Sequence, residues 1–168
     1  GRAVEVGERV GRPGLAGEFR DLTRATKVVE FNDVAALEAA LAPHDVACVI
    51  TEPVLTNSCM VLPDPGFHDA LRRLTREAGT LLLIDETHMI STGLGGYTRV
   101  NGLDPDLFVL GKPVAGGVPA SVWGMSDGVA ARWRAYSAGK EPGYSGMGTT
   151  LSANPLQFAA MRATLEDV

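Results

Sequence analysis

Two short stretches carry residues whose types and spacing could do covalent chemistry. Leu81-Leu82-Leu83-Ile84 runs into Asp85-Glu86, and Leu107-Phe108-Val109-Leu110 runs into Gly111-Lys112. Apolar runs without alternation suit strands buried on both faces, as in a parallel sheet. Ligands of such sheets sit beyond the carboxyl ends of the strands, and Asp85 and Lys112 would both stand at that edge. A lysine amine condenses with an aldehyde as a Schiff base. A carboxylate paired with a pyridine nitrogen keeps it protonated, so the ring can withdraw electrons. The pair therefore suits pyridoxal phosphate, and Gly116-Gly117 would let backbone approach so bulky a group. By spacing alone, a structural ion pair and a solvent-facing lysine are at least as good a reading.

The elements that would position these residues follow from the surrounding pattern. Residues 46–51 form another apolar run, ending at Glu52-Pro53. The spacing predicts a helix over 66–78, with Asp64 as its cap, Pro65 at its first position, an apolar stripe of Phe67, Ala70, Leu71, Leu74 and Ala78, and Gly79 at its end. Strand, helix and the strand at 80–85 make a βαβ unit, right-handed by default. Residues 46–51, 80–85 and 107–111 are expected to be neighbouring parallel strands, with Glu52, Asp85 and Lys112 at one edge. Further expectations are a strand at 27–31, a helix from Val34 to about Leu41 capped by Asn32 or Asp33, a strand at 121–125, and helices at about 127–136 and 155–166. Residues 1–17 read as a loop or disordered lead-in, and the lack of an initial Met does not look like a natural start.

Composition limits the function classes. At 168 residues the chain can bury one substantial core. Hydrophobic residues make up 45% and charged residues 21%, which places it among globular proteins. A net charge of −5 supplies no basic footprint for nucleic acid. No apolar run approaches the roughly 20 residues of a membrane helix. Two cysteines, Cys48 and Cys59, are too few for a disulfide scaffold. Cys48 reads as a buried thiol, and a reducing cytoplasm is the default compartment. No His/Cys/Asp/Glu cluster has metal-ligand spacing. His44 and His68 read as surface residues. A phosphate-binding P-loop is excluded because Asp106 and Pro113 occupy places that its Gly and Ser/Thr require. A dinucleotide fold is weak, since no Gly-rich turn follows the first strand candidate, and Gly93-Leu94-Gly95-Gly96 lies inside a longer loop.

Ordered motifs narrow the field. The run EPVLTN, then DET and a Gly-rich loop, then GLDPDLFVLGKPVAGGVPASVWGMS, then GTTLSANPLQFAA, resembles the class III aminotransferase family. The likeness covers about residues 46–165 and is strongest to the branch that includes glutamate-1-semialdehyde aminomutase. It implies an α/β fold: the central part of the large cofactor-binding domain of a fold-type-I pyridoxal-phosphate enzyme, with a mostly parallel sheet flanked by helices. Residues 18–168 would then be a partial domain, without the family's N-terminal portion and C-terminal domain. The implied activity is amino transfer between a small-molecule amino donor and a carbonyl acceptor, or intramolecular amino transfer, in a cytoplasmic homodimer with shared active sites. A non-catalytic fragment, a split-gene remnant, or a decarboxylase or racemase on the same fold stay open as alternatives.

The resemblance also assigns residues. Lys112, in Gly111-Lys112-Pro113-Val114-Ala115-Gly116-Gly117, matches the family's Schiff-base lysine, and Asp85 its pyridine-nitrogen partner. Thr87 stands where most members carry a valine against the ring face; its hydroxyl could instead bond the ring's phenolic oxygen or face water. Glu52 matches the family's Glu-Pro motif and either tunes the site or neutralises a nearby base. Asn57 falls where the aminomutase branch has an Asn near the cofactor, and reads equally as a turn residue. Thr150, aligned through Asn154-Pro155, matches the Thr that reaches the phosphate of the other subunit. Ser152 or Asn154 would cap the helix that follows. The sequence departs from the family after Asp-Glu: Thr87-His88-Met89-Ile90-Ser91-Thr92 lacks the usual arginine, which opens the substrate class and leaves His88 as either a contact or a structural residue.

Overall fold

A computed structural model describes residues 25–57, 59–140, 147–148 and 151–167. Four strands form one sheet: β1 (Cys48–Thr51), β2 (Leu81–Asp85), β3 (Leu107–Leu110) and β4 (Val122–Met125). Their spatial order is β1-β2-β3-β4, with β1–β2 and β2–β3 parallel and β3–β4 antiparallel. The expected set of three parallel neighbours is what the chain builds. Among the described residues five α-helices accompany them: α1 (Val34–Leu41), α2 (Phe67–Ala78), α3 (Gly96–Val100), α4 (Asp127–Ala138) and α5 (Pro155–Glu166).

Helix ends follow local chemistry. Asp33 starts α1 by accepting the Ala36 N–H at 2.8 Å, and Asn154 starts α5 by accepting those of Leu156 and Gln157. The start of α2 departs from expectation. Its N-cap is Gly66 at φ 84°, and Asp64-Pro65 form the turn before it, closed by the Phe67 N–H on the Asp64 carbonyl. Gly79 ends α2 in the left-handed conformation, as its position predicts.

The main core lies on one face of the sheet. Leu37 and Leu41 of α1 and Phe67, Leu71 and Leu74 of α2 pack on Leu82 and Ile84 of β2. Strand side chains alternate between faces, so Cys48 and Ile50 of β1 point away from this layer. Both are exposed, Ile50 at 68%. The expected buried thiol at Cys48 is therefore wrong, and β1 is not buried on both faces, whereas the second face of β2 and β3 is part-buried: among the described residues, α1 and α2 cover the same side. The expected strand at 27–31 is absent too. That segment pairs with no strand among the described residues; Val28 is exposed while Val29 and Phe31 pack down onto the α1–α2 core. A smaller cluster joins Leu110, Val114, Ala115 and Met161, fastening the end of β3 to α5.

Ion pairs lock α2 to the loop entering β3: Arg72 and Arg76 both meet Asp104, and the least exposed pair is Arg72–Asp106. Arg72 donates to both carboxylate oxygens of Asp106, at 2.7 and 3.0 Å, and Asp106 also accepts the Leu82 N–H. The Arg72 hydrogen bonds hold the Asp106 carboxyl below its ordinary value near 3.8, against the opposing effect of burial. A depressed carboxyl value means that the stabilisation is complete at neutral pH and is lost as pH falls through the folded value. Asp106→Asn in the full-length protein is expected to cost about 1–3 kcal/mol at pH 7. The gap in thermal midpoint between variant and wild type should narrow as pH is lowered toward 3. A gap independent of pH would show that the carboxylate charge is not what stabilises this contact.

Candidate active site

Three parallel strands end on a common edge. Thr51 pairs with Ile84, and Asp85 pairs with Val109. Glu52, directly after β1, is thus level with Asp85, the last residue of β2, and Lys112 follows β3 two positions past Leu110. Sequence expectation and geometry agree on that shared edge.

Asp85 is half-buried, and one carboxylate oxygen accepts the Thr87 N–H at 2.9 Å. That bond fixes the carboxylate orientation; the second oxygen has no partner among the described residues. Lys112 is exposed, and no described residue engages its ammonium. Among the described residues Asp85 forms no ion pair, while Lys112 faces solvent. A carboxylate oxygen and an amine are both left uncommitted on one strand edge, and this fits a ligand that needs both.

The backbone at Lys112 adds a second observation. Its φ is 44°, a left-handed conformation that costs a residue with a β-carbon about 1–3 kcal/mol. The following Pro113 makes this costlier, since a residue before proline is driven toward extended geometry. The strain is held by what comes next. Residues Lys112–Ala115 form a 3-10 turn whose Val114 and Ala115 are buried against α5. Gly116 turns back at φ 59°, where a β-carbon would lie 2.8 Å from Thr164 Oγ1 of α5. Its close approach is to this helix, which anchors the lysine turn, whereas the sequence reading assigned that glycine to room for a ligand.

The remaining candidates occupy the loops beyond β1 and β2. Thr87 lies half-buried across the end of β3, its methyl and hydroxyl each 3.7 Å from where a Gly111 β-carbon would stand. Glu52 accepts the Thr56 hydroxyl at 2.6 Å and the Thr56 N–H at 3.3 Å through Oε2. The same hydroxyl meets Nδ1 of His88, which stands 3.7 Å from Glu52 Oε2. Asn57 follows and is exposed. Thr150 lies outside the described residues. Among those described, no group of three or more His, Cys, Asp or Glu side chains is placed to hold a metal ion, and no helix is long and apolar enough to cross a membrane.

Three features escaped the sequence reading. Thr56 gained its meaning only when the fold brought it to His88, 32 positions away. Glu86 is fully buried and accepts the Tyr97 and Thr98 N–H groups, drawing in the loop that carries Gly95 and Gly96. A β-carbon at Gly96 would come within 2.7 Å of Glu86 Oε2, so the glycine is required there. His68 is not the surface residue expected: it is half-buried, donates Nε2–H to the Pro53 carbonyl at 3.0 Å and stands edge-on to Tyr97. Burial pushes its pKa down. His44 does lie at the surface, bonded to the Ala78 carbonyl.

Residues 15–168 match the family model for aminotransferase class-III. The chain belongs to the class III aminotransferase family. It is 39% identical over 165 residues to the glutamate-1-semialdehyde 2,1-aminomutase of Acidobacterium capsulatum, covering 92% of this chain and 35% of the relative. The corresponding protein of Thermomicrobium roseum is 40% identical over 163 residues, at 93% and 36% coverage. The chain thus spans about a third of the length of the curated relatives it matches. Among solved structures, a glutamate-1-semialdehyde aminomutase from Pseudomonas aeruginosa PAO1 superposes with a TM-score of 0.79 at 54% identity, covering 84% of this chain and 32% of that one. A lysine-to-alanine variant of that enzyme was solved in complex with PMP, with the same TM-score. The ornithine δ-aminotransferase of Plasmodium falciparum gives 0.66 at 29% identity, covering 82% of this chain and 35% of that one. These neighbours share the α/β architecture of fold-type-I enzymes of this family.

Proposed function

We propose that this chain is the central, cofactor-holding part of a pyridoxal-phosphate-dependent aminotransferase or aminomutase. The observation that carries the reading is the uncommitted pair at the strand edge, Lys112 and Asp85, within a chain of the class III family. When bound, pyridoxal phosphate supplies a reactive aldehyde and an electron-withdrawing ring. Lys112 would hold it covalently through Nζ, and Asp85 would accept the N–H of the pyridinium through its free oxygen. Once released by an incoming amine, the Lys112 amine is a base that takes and returns a proton at the substrate carbon. Its strained backbone fits this role, since such strain clusters where a side chain must be aimed.

The flanking residues complete the assignment. Thr87 presents a methyl and a hydroxyl beside Gly111, next to the lysine, which suits contact with a planar ring. We assign Glu52, at the end of β1, and Asn57, in the loop that follows, to the same site. We assign Thr150 to the phosphate held by the neighbouring subunit, which makes the complete enzyme a homodimer with shared sites. The substrates are a small-molecule amino donor and a carbonyl acceptor, handled in the cytoplasm. The test is the spectrum of the full-length protein loaded with pyridoxal phosphate. Adding amino donors should convert the visible absorbance of the lysine-bound aldehyde into near-ultraviolet absorbance, and a carbonyl acceptor should restore it. A spectrum unmoved by a broad set of amines would reject amino transfer.

A further inference from the structure

The Glu52–Thr56–His88 cluster has a definite proton order. An ionised carboxylate only accepts hydrogen bonds, so the Thr56 hydroxyl must donate to Glu52 Oε2, 2.6 Å away. The hydroxyl oxygen can then only accept from Nδ1 of His88, and that nitrogen must carry a proton. In the neutral ring the remaining nitrogen, Nε2, is a bare lone pair, and no described residue bonds to it. His88 is part-exposed, with 27% of its side chain open. It stands three residues beyond Asp85, in the loop that leaves the same strand edge. Titratable groups on the strand ends around it are Glu52 after β1, Asp85 and Glu86 at β2, and Lys112 after β3.

We propose that His88 is the proton acceptor for the ammonium group of the incoming substrate. This rests on the amino-transfer reading above. An amine arrives protonated at neutral pH and cannot attack the carbon that Lys112 would hold as an imine, releasing the lysine amine, until one N–H bond breaks. Nε2 takes that proton, leaving a neutral amine with its lone pair free. The imidazolium so formed is balanced by Glu52, 3.7 Å from Nδ1, with Thr56 as the bridge between them. No oxidant or second reactant is needed, and the proton can return to the product amine. Thr56 and Glu52 are positioning residues here, since they act only through the ring.

Two measurements on the full-length protein test this. The first uses nitrogen-15 NMR of labelled histidine in the cofactor-free protein. Neutral His88 should carry its proton on Nδ1 in wild type, and Thr56→Val should move it at least partly to Nε2. A wild-type ring protonated on Nε2 overturns the proposal. The second uses His88→Asn, whose amide can still donate to Thr56 while nothing replaces Nε2. With pyridoxal phosphate bound in wild-type amount, kcat/KM for the amino donor should fall about 100-fold at pH 7. It should recover as pH rises toward the donor's own value of about 10. An unchanged kcat/KM, a deficit that persists at high pH, or a loss of bound cofactor each overturns the proton-acceptor role. Covalent attachment of cofactor in wild type is scored separately, so failure of the amino-transfer reading would be seen independently of the histidine result.

Discussion

Lys112→Ala in the full-length protein is expected to abolish covalent retention of pyridoxal phosphate and to lower turnover by about 10⁴-fold or more. General acid–base transfer alone accounts for about 10²–10⁴-fold, and loss of the covalent step adds to it. Reversible binding should survive, because the phosphate and ring contacts assigned to other residues stay intact. Cofactor should therefore co-purify weakly and leave on gel filtration after borohydride treatment. Folding should be little changed: alanine removes an exposed amine that no described residue engages, while the Val114–Ala115 anchor remains. The check is cofactor content by absorbance, before and after reduction, beside a thermal midpoint.

Asp85→Ala is expected to separate attachment from turnover. The lysine is untouched, so covalent retention should persist. The pyridine nitrogen loses its acceptor and tends toward the neutral form, and electron withdrawal by the ring weakens. Losing a charge-assisted contact of this kind costs about 2–4 kcal/mol in the transition state, or about 30- to 1000-fold in kcat. Asp85→Asn should fall equally far, since its amide oxygen offers no charge to hold the pyridinium. Single-turnover kinetics with an amino donor provides the measurement. Wild-type rates in Asp85→Ala would remove the aspartate from the mechanism.

What could be read from the chain, and what could not, divides along physical lines. The strands at β1, β2 and β3 were legible because each is an apolar run that stops at a polar residue, and such runs have few other uses in a short chain. The shared edge of Glu52, Asp85 and Lys112 followed from those three endings. The segment 27–31 has a strand-like composition, yet a strand exists only with a partner ladder, and composition does not name one. Cys48 was misread because burial on the second face depends on which side the helices pack, and α1 and α2 chose the same side. His68 was misread because its partners, Pro53 and Tyr97, lie far from it in sequence. The left-handed backbone of Lys112 had no local signal at all: Lys-Pro argues for an extended lysine. Only the packing of the next turn against α5 imposes the other geometry.

Lys112 is expected to be the residue that carries the cofactor. The most direct measurement is borohydride reduction of the full-length protein loaded with pyridoxal phosphate, followed by peptide mapping by mass spectrometry. One stoichiometric pyridoxyl adduct is expected, on the peptide containing Gly111-Lys112-Pro113. A single defined adduct on any other lysine, or the same adduct recovered from Lys112→Ala, would contradict it.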